Sequence, residues 1–387
     1  VTPLAVPQRV AQRLERACDL PLSFCPVPDT LADGESVALQ TFAGAPLGLA
    51  VVDRDAAVLR VMAFGAECAA LDDTWAEGRL AAACRLRADH GLTGPDQAYR
   101  LLNGAGDLVP GVVIDVYGAW AVVSAHSQGL LPVARRFAGR LVADARVRGA
   151  VLKLRRRGAA AAPPVAPELF GEAPPARYVV REGPLSFEVH VAGGVNVGLF
   201  TDMRHERRRL TGIAAGRRVL NLFAYTGALS VAAAAGGAAA VTSVDLSEGV
   251  LAWARDHFAL NGLDAARHTT CAADVSAFLA AALARGDRYD LVLIDPPSYS
   301  AARHAPFAID RDYPPIIRAA CDVLAPGGDL WLAANTKGYS LIGAVQAAVP
   351  AARRPRLVWQ GGLPPDYPTE PADGEARYLQ TCLLRLL

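Results

Sequence analysis

An α/β protein is predicted, with a Rossmann-like parallel sheet in the C-terminal half, a small β-rich domain at the start and a small α/β domain between them. Three observations carry this reading. From Arg218 onward, apolar strands alternate with segments of helix length, the pattern of a parallel sheet covered on both faces. Several of those strands end in polar or glycine-bearing punctuation. Charge also shifts twice along the 387 residues. Residues 1–77 carry 5 Arg against 11 acids, 78–185 carry 15 basic against 8 acidic, and 186–387 carry 19 of each. This sets the expected boundaries at 77/78 and 185/186.

In the first segment, Glu35–Thr41, Gly48–Asp53 and Val58–Ala63 read as strands between the turns Ala32-Asp33-Gly34 and Gly44-Ala45-Pro46. In the second, Trp75–His90 and Leu130–Ala143 read as helices. Tyr99–Leu102, Val112–Val116, Trp120–Ser124 and Ala150–Leu154 read as strands, and the Ala/Pro/Gly-rich residues 157–176 as a loop. In the third, strands are expected at Val219–Phe223, Ala240–Asp245, His268–Ala273, Asp290–Ile294 and Asp329–Ala334. Helices are expected at Ala228–Ala235, Glu248–Asn261, Val275–Arg285 and Asp312–Leu324, the last stopped by Pro326-Gly327-Gly328. Arg356–Gln360 and Tyr378–Leu387 close the chain as antiparallel edge strands.

Composition narrows the class. A net charge of +1 excludes a globally basic nucleic-acid coat. Ala/Gly-rich stretches such as Leu229–Val241 are shorter than the ~18–20 residues of a membrane span. No charged segment followed by an apolar run opens the chain, so no signal peptide is expected. The seven cysteines (18, 25, 68, 84, 271, 321, 382) are scattered, odd in number and free of CxxC, which argues for a reduced cytoplasm, no disulfide framework and no metal. Basic residues are densest at Arg135, Arg136, Arg140, Arg146, Arg148, Lys153, Arg155, Arg156 and Arg157. Such a run is either a phosphate-binding stripe or a solvated helix face.

In open α/β sheets the ligand lies at the carboxyl ends of the strands. Here those ends carry Asn221-Leu222-Phe223-Ala224-Tyr225-Thr226-Gly227, then Asp245, Asp274 and Asp295-Pro296-Pro297. Asp245 follows Gly227 by 18 residues, near the ~20 expected of an acid that holds ribose hydroxyls. There is neither GxGxxG nor GxxxxGK[ST], so a phosphate cradle is missing and a ligand without phosphates fits better. S-adenosylmethionine (SAM) is such a ligand, with a ribose for Asp245, an adenine edge for Asp274 and an amino-acid tail. The tandem prolines rigidify the loop after Asp295, and Tyr299 is placed to stack on a base, worth ~1–3 kcal/mol.

Further stretches match in order: Tyr99-Arg100-Leu101-Leu102, Gly106-Asp107-Leu108-Val109-Pro110-Gly111-Val112-Val113-Ile114-Asp115, and Gly198-Leu199-Phe200-Thr201-Asp202-Met203-Arg204. With Val219–Gly227, Ser243-Val244-Asp245 and Asp295–Tyr299, the chain resembles the bacterial 23S rRNA methyltransferases that carry an N-terminal PUA domain. These are the cytosine-C5 group and its guanine-N7 relatives, and the resemblance spans about residues 30–387. It implies a PUA-like domain, a middle α/β domain and a class I methyltransferase domain with SAM as cofactor and 23S rRNA as partner. It further implies that Phe200 packs on the cofactor with the Phe223–Gly227 motif and that Asp202 and Arg204 hold the methionyl end. Leu246 and Val275, beside Asp245 and Asp274, complete the cofactor set.

The chain departs from the family twice. Arg16–Cys25 lacks the basic PUA signature and its segment is acidic. At the fifth strand, Asn335 of Asn335-Thr336-Lys337 stands where the cytosine-C5 group has Cys. Cytosine C5 needs a thiolate adduct at C6, whereas a ring nitrogen attacks directly and needs chiefly positioning. Direct N-methylation with Asp295, Pro296, Pro297, Tyr299, Asn335 and Lys337 as catalytic residues is therefore expected. A protein or small-molecule acceptor, or a non-catalytic RNA-binding role, stays open, as does a homodimer.

Overall fold

The structure is a computed structural model that describes residues 1–14, 19–155, 165–194, 197–297, 299–300, 307–369 and 378–387 (for 8, 9, 13, 299 and 300, the backbone only). Arg156, Arg157, Ser298 and the Tyr299 side chain lie outside the described residues. The chain divides into two compact units: Val1–Arg181 with Val189–Thr201 and Pro365–Ala376, and Glu182–Glu188 with Asp202–Pro364 and Arg377–Leu387.

The first unit holds two five-stranded sheets. The N-terminal sheet runs in the order Thr2–Ala5, Ser36–Gln40, Pro46–Asp53, Val58–Phe64, Asp19–Pro21. Its first and last strands, and the helix Gln8–Leu14, go beyond the three strands read from the sequence. The second sheet runs in the order Glu168–Gly171, Gly149–Leu154, Trp120–Ala125, Val112–Tyr117, Ala98–Asn103, with helices at Asp73–Asp89 and Leu131–Ala143. Trp75 and Phe137 of these helices meet edge to face at 5.4 Å in the core. Strand Glu168–Gly171 corrects the expected loop at 157–176, because it adds antiparallel to Gly149–Leu154 at the sheet edge. Its polar and apolar neighbours mask the short run in the sequence.

Among the described residues the basic run is not a free cationic stripe. Arg135 pairs with Glu168 at 2.8 Å, Arg136 with Asp73 at 3.0 Å and Arg146 with Glu77 at 2.6 Å. Arg140 pairs with Asp144 and Arg148 with Glu172. Lys153 is buried, and its Nζ donates to the carbonyls of Gly193 (2.8 Å) and Gly194 (2.9 Å). Burial, helped by Arg155, pushes that amine down to about 8. The ion-paired helix face is the reading the structure favours, and such exposed pairs add little stability.

The Arg100–Asp115 stretch forms a cradle for residues 365–369, which belong to the same unit. Arg100 grips Asp115 at 2.7 and 3.2 Å, and its guanidinium lies 5.1 Å from the Tyr367 ring. Asn103 donates to the Pro368 carbonyl (3.1 Å), and Thr201 shares a 2.6 Å hydrogen bond with the Tyr367 hydroxyl. Behind them, Arg87 and Asp107 form a buried bidentate pair at 2.6 and 2.8 Å. A Cβ on Gly106 would overlap the Pro368 carbonyl. Gly106→Ala is thus expected to destabilise the protein by about 1–3 kcal/mol, seen as a fall of several degrees in the thermal midpoint. An unchanged midpoint would mean that the cradle yields freely.

The second unit is a seven-stranded sheet. Its elements in chain order are α1 (Arg204–Ile213), β1 (Arg218–Leu222), α2 (Ala228–Ala235), β2 (Ala240–Asp245), α3 (Glu248–Leu260), β3 (His268–Ala272) and α4 (Val275–Arg285). They continue as β4 (Tyr289–Ile294), α5 (Ile309–Val323), β5 (Leu324–Asn335), α6 (Leu341–Ala348), β6 (Arg356–Gly362) and β7 (Leu379–Arg385). The strand order is β3-β2-β1-β4-β5-β7-β6. Strands β1 to β5 are parallel, and β7 runs antiparallel between β5 and β6. Successive residues of β5 alternate between the faces. Leu330 and Leu332 enter the core that α4, α5 and α6 cover, and the Trp331 indole N–H donates to Glu206 of α1 at 3.1 Å. Among the described residues no helix is long and apolar enough to cross a membrane.

Candidate active site

The turn after β1 is unusual backbone. Phe223, Tyr225 and Gly227 all have positive φ, at 59°, 49° and 74°. Two of these are non-glycine residues, a conformation that costs on the order of 1–3 kcal/mol each and clusters at functional sites. The loop is held from several directions. Ala224 N–H donates to the Val244 carbonyl, and Tyr225 N–H to Asp245 Oδ2, both at 2.9 Å. Asp245 Oδ1 accepts from Ser247 N–H at 3.0 Å. A side chain at Gly227 would begin 2.8 Å from the Ala254 Cβ, which is why the tight turn onto α2 carries glycine. The Phe223 ring meets Phe307 edge to face at 5.4 Å.

Asn221, expected beside the cofactor, is fully buried. Its Nδ2 donates to Ser230 Oγ at 2.8 Å, and Ser243 Oγ lies 2.7 Å from the same atom. It therefore braces the base of the loop. Thr226 is buried too, and its carbonyl meets the His257 imidazole at 2.8 Å. Burial holds His257 below the usual imidazole range. Asp274 caps α4 by accepting from Ala277 N–H (2.9 Å) and is exposed, with Val275 buried behind it. The Ala273 N–H bonds the Asp245 carbonyl at 3.0 Å, which sets the two acidic turns side by side. Leu246 is exposed at the end of β2.

Two acids from distant parts of the chain come together next to β4. Asp202 precedes α1, is nearly buried and accepts from the Tyr378 hydroxyl at 2.8 Å. Asp295 ends β4. Burial first, then the charges of Asp202 and Glu206, push its carboxyl up to about 7 against the pull of Arg207. Arg207 is already engaged, with Nε 2.7 Å from buried Glu182. Glu206 is buried as well, and burial raises its carboxyl. This acidic cluster favours a cation. Arg204 is half-buried at the start of α1, and Phe200 is exposed in the first unit.

Pro296 is buried and Pro297 exposed. Tyr313 of α5 stitches the strand ends beneath them. Its hydroxyl lies 2.8 Å from the Ala333 carbonyl of β5 and 3.2 Å from the Ile294 carbonyl of β4. Asn335 and Lys337 are exposed at the end of β5. His257, Tyr313, Tyr378 and the Glu182–Arg207 pair escaped the sequence reading, because no motif marks them and each acts through a partner far along the chain.

This strand order, an acid closing β2 and a strained loop after β1 define the class I methyltransferase fold. The chain belongs to the S-adenosylmethionine-dependent methyltransferase family, whose sequence profile matches residues 135–379. A ribosomal RNA large subunit methyltransferase of Deinococcus radiodurans is 37% identical over 330 residues, covering 82% of this chain and 80% of that relative. The ribosomal RNA large subunit methyltransferase K of Neisseria meningitidis serogroup B is 40% identical over 166 residues, covering 42% of this chain and 47% of that relative. The crystal structure of the methyltransferase SMU.776, complexed with SAH, superposes over 100% of both chains with a TM-score of 0.88 and 27% identity. SAM is thus the cofactor of this enzyme. The residues present suit it: a nearly buried acid at 202 and a half-buried one at 295 for a cation, a carboxylate at 245 for vicinal hydroxyls, and a loop with a single glycine and no phosphate cradle.

Proposed function

We propose that the chain methylates a base of 23S rRNA by direct transfer to a ring nitrogen, with guanine N7 as the model chemistry. The likeness to the Deinococcus radiodurans enzyme over most of both chains carries the RNA acceptor. Asn335 at the end of β5 carries the chemistry. A C5 mechanism needs a thiolate beside the base. Cys321 and Cys382 are buried in the core, where desolvation pushes their thiols up to about 11 and about 12. Cys271 packs with Phe278 on the α4 side of the sheet.

When bound, SAM supplies an electrophilic methyl group on a sulfonium. Asp202 and Asp295 hold its cationic end, with Arg204 on the carboxylate. Asp245 takes the ribose hydroxyls, Asp274 the adenine edge, and Phe223, Tyr225, Leu246 and Val275 line the remainder. The main chain of Thr226 and Gly227 shapes the loop. Asp295, Pro296 and Pro297 present a rigid edge to the base, Tyr299 stacks on it, and Asn335 and Lys337 orient the base and its phosphate. Rate comes from placing the ring nitrogen in line with the methyl group. The acidic N-terminal sheet is a PUA-like domain (1–77), followed by the middle domain (78–185) and the methyltransferase domain (186–387).

The test uses purified protein, labelled SAM and unmodified large-subunit rRNA, read by nucleoside mass spectrometry. A guanosine or adenosine methylated on a ring nitrogen is the expected product. 5-Methylcytidine would overturn the direct mechanism. SAM binding without transfer to RNA would overturn the acceptor and favour a protein or small molecule, a reading the ion-paired Arg run supports. Loss of RNA affinity with rising salt separates the two.

A further inference from the structure

We infer that His257 is a positioning residue for the cofactor loop, acting as a neutral imidazole with its proton on Nδ1. This rests on reading Phe223–Gly227 as that loop. Helix α3 touches the loop twice, through Ala254 against Gly227 and through His257 Nδ1, 2.8 Å from the Thr226 carbonyl. The other nitrogen, Nε2, accepts the Glu188 N–H at 3.0 Å and lies 3.2 Å from the Glu188 carbonyl. A proton on Nδ1 satisfies the two shorter contacts, whereas a proton on Nε2 would serve the 3.2 Å carbonyl contact and leave the Glu188 N–H without this acceptor. A proton on Nε2 alone would set the Nδ1 lone pair against the Thr226 carbonyl.

Helix α3 extends the same device by one turn. Asn261, its C-terminal neighbour, accepts from Ser186 N–H (2.9 Å) and donates to the Ser186 carbonyl (2.8 Å). Ser186 and Glu188 are alternate residues of the strand Leu185–Val189, so their backbone groups face the same edge. Two strand residues span about 6.6 Å, and four helix residues rise about 6 Å, so positions 257 and 261 match that edge. The helix thus offers an imidazole and an amide where a neighbouring strand would offer peptide groups. His257 is fully buried against the Phe187 ring at 5.4 Å, which fixes its plane. One side chain therefore ties the loop to the Glu188 backbone.

The test is SAM binding by calorimetry on the full chain, together with the long-range proton–nitrogen NMR spectrum of the wild type. His257→Ala is expected to weaken SAM about tenfold, since it strips a buried carbonyl of its donor. His257→Asn, whose amide N–H reaches the Nδ1 position, restores most of the affinity, and His257→Gln does not. The wild-type spectrum shows Nδ1 protonated and Nε2 bare. A proton on Nε2 overturns the inference, and so does equal SAM affinity in all three variants. Should His257→Ala fail to fold, the wild-type spectrum decides. Asp245→Ala is the control for the loop itself: if it too leaves SAM affinity unchanged, the loop reading fails rather than the role of His257.

Discussion

Asp245→Ala is expected to weaken SAM binding by roughly two orders of magnitude while the fold persists. The carboxylate does two jobs from one position. It accepts from Tyr225 N–H at 2.9 Å and from Ser247 N–H at 3.0 Å, which pins the positive-φ backbone at Phe223 and Tyr225. Each oxygen keeps a lone pair for a ribose hydroxyl. A hydrogen bond to a charged group contributes about 1.5–3 kcal/mol, and tenfold in affinity is about 1.4 kcal/mol, so losing the hydroxyl contacts and the pinning together gives the stated effect. Asp245→Asn should fall between, since its amide keeps one acceptor and turns a donor on the other N–H. Calorimetry with SAM measures both. A dissociation constant within threefold of wild type for Asp245→Ala would place the ribose elsewhere.

SAM affinity is expected to rise with pH up to about 7 and then level off, with Asp295 as the cause. Desolvation and the neighbouring charges of Asp202 and Glu206 push its carboxyl up to about 7, with Arg207 only partly compensating. A cation binding there favours the ionised form, so binding below pH 7 releases a proton. Affinity then gains up to about tenfold per pH unit until Asp295 is already ionised. Asp295→Asn should flatten this profile and weaken binding at pH 8. Stability moves the other way. The ordinary value of this carboxyl is 3.8, so between about pH 4 and 7 the folded state holds a proton that the unfolded chain has lost. Unfolding free energy therefore falls as pH rises across that window, by up to about 1.4 kcal/mol per unit. Asp295→Asn removes the fall, so the variant should melt higher than wild type at pH 8 and alike at pH 4. A wild-type affinity that ignores pH would remove Asp295 from the cation's surroundings.

The adjacency of Tyr225, Asp245 and Ala273 is legible in the sequence because strand ends announce it. An apolar run stops, polar residues follow, and parallel pairing must bring consecutive ends together. The strand reading of β1, β4 and β5 succeeds for the same reason, since buried parallel strands are nearly pure apolar runs. Other features depend on partners that no local pattern reveals. The Arg run reads as cationic until Asp73, Glu77 and Glu168 fold back onto it. Asn221 reads as a site residue because it sits in the motif, yet strand alternation turns its side chain toward Ser230. Tyr313 carries no motif, and its importance lies in two carbonyls on separate strands. Strand Glu168–Gly171 hides in a composition that spells loop.

The cradle at Arg100–Asp115 sets a timetable for synthesis. Residues 1–181 leave the ribosome long before Tyr367 and Pro368, which complete the same unit. At roughly 5–20 residues per second, the wait lasts on the order of 10–40 s. Throughout it the nascent unit shows Arg100, Asn103 and the bare face of Gly106 without the segment that covers them. The first unit therefore matures only when that segment arrives, and the second later still, once β7 enters its sheet between β5 and β6. A chain halted before residue 365 would remain a client for chaperones even with its earlier strands in place.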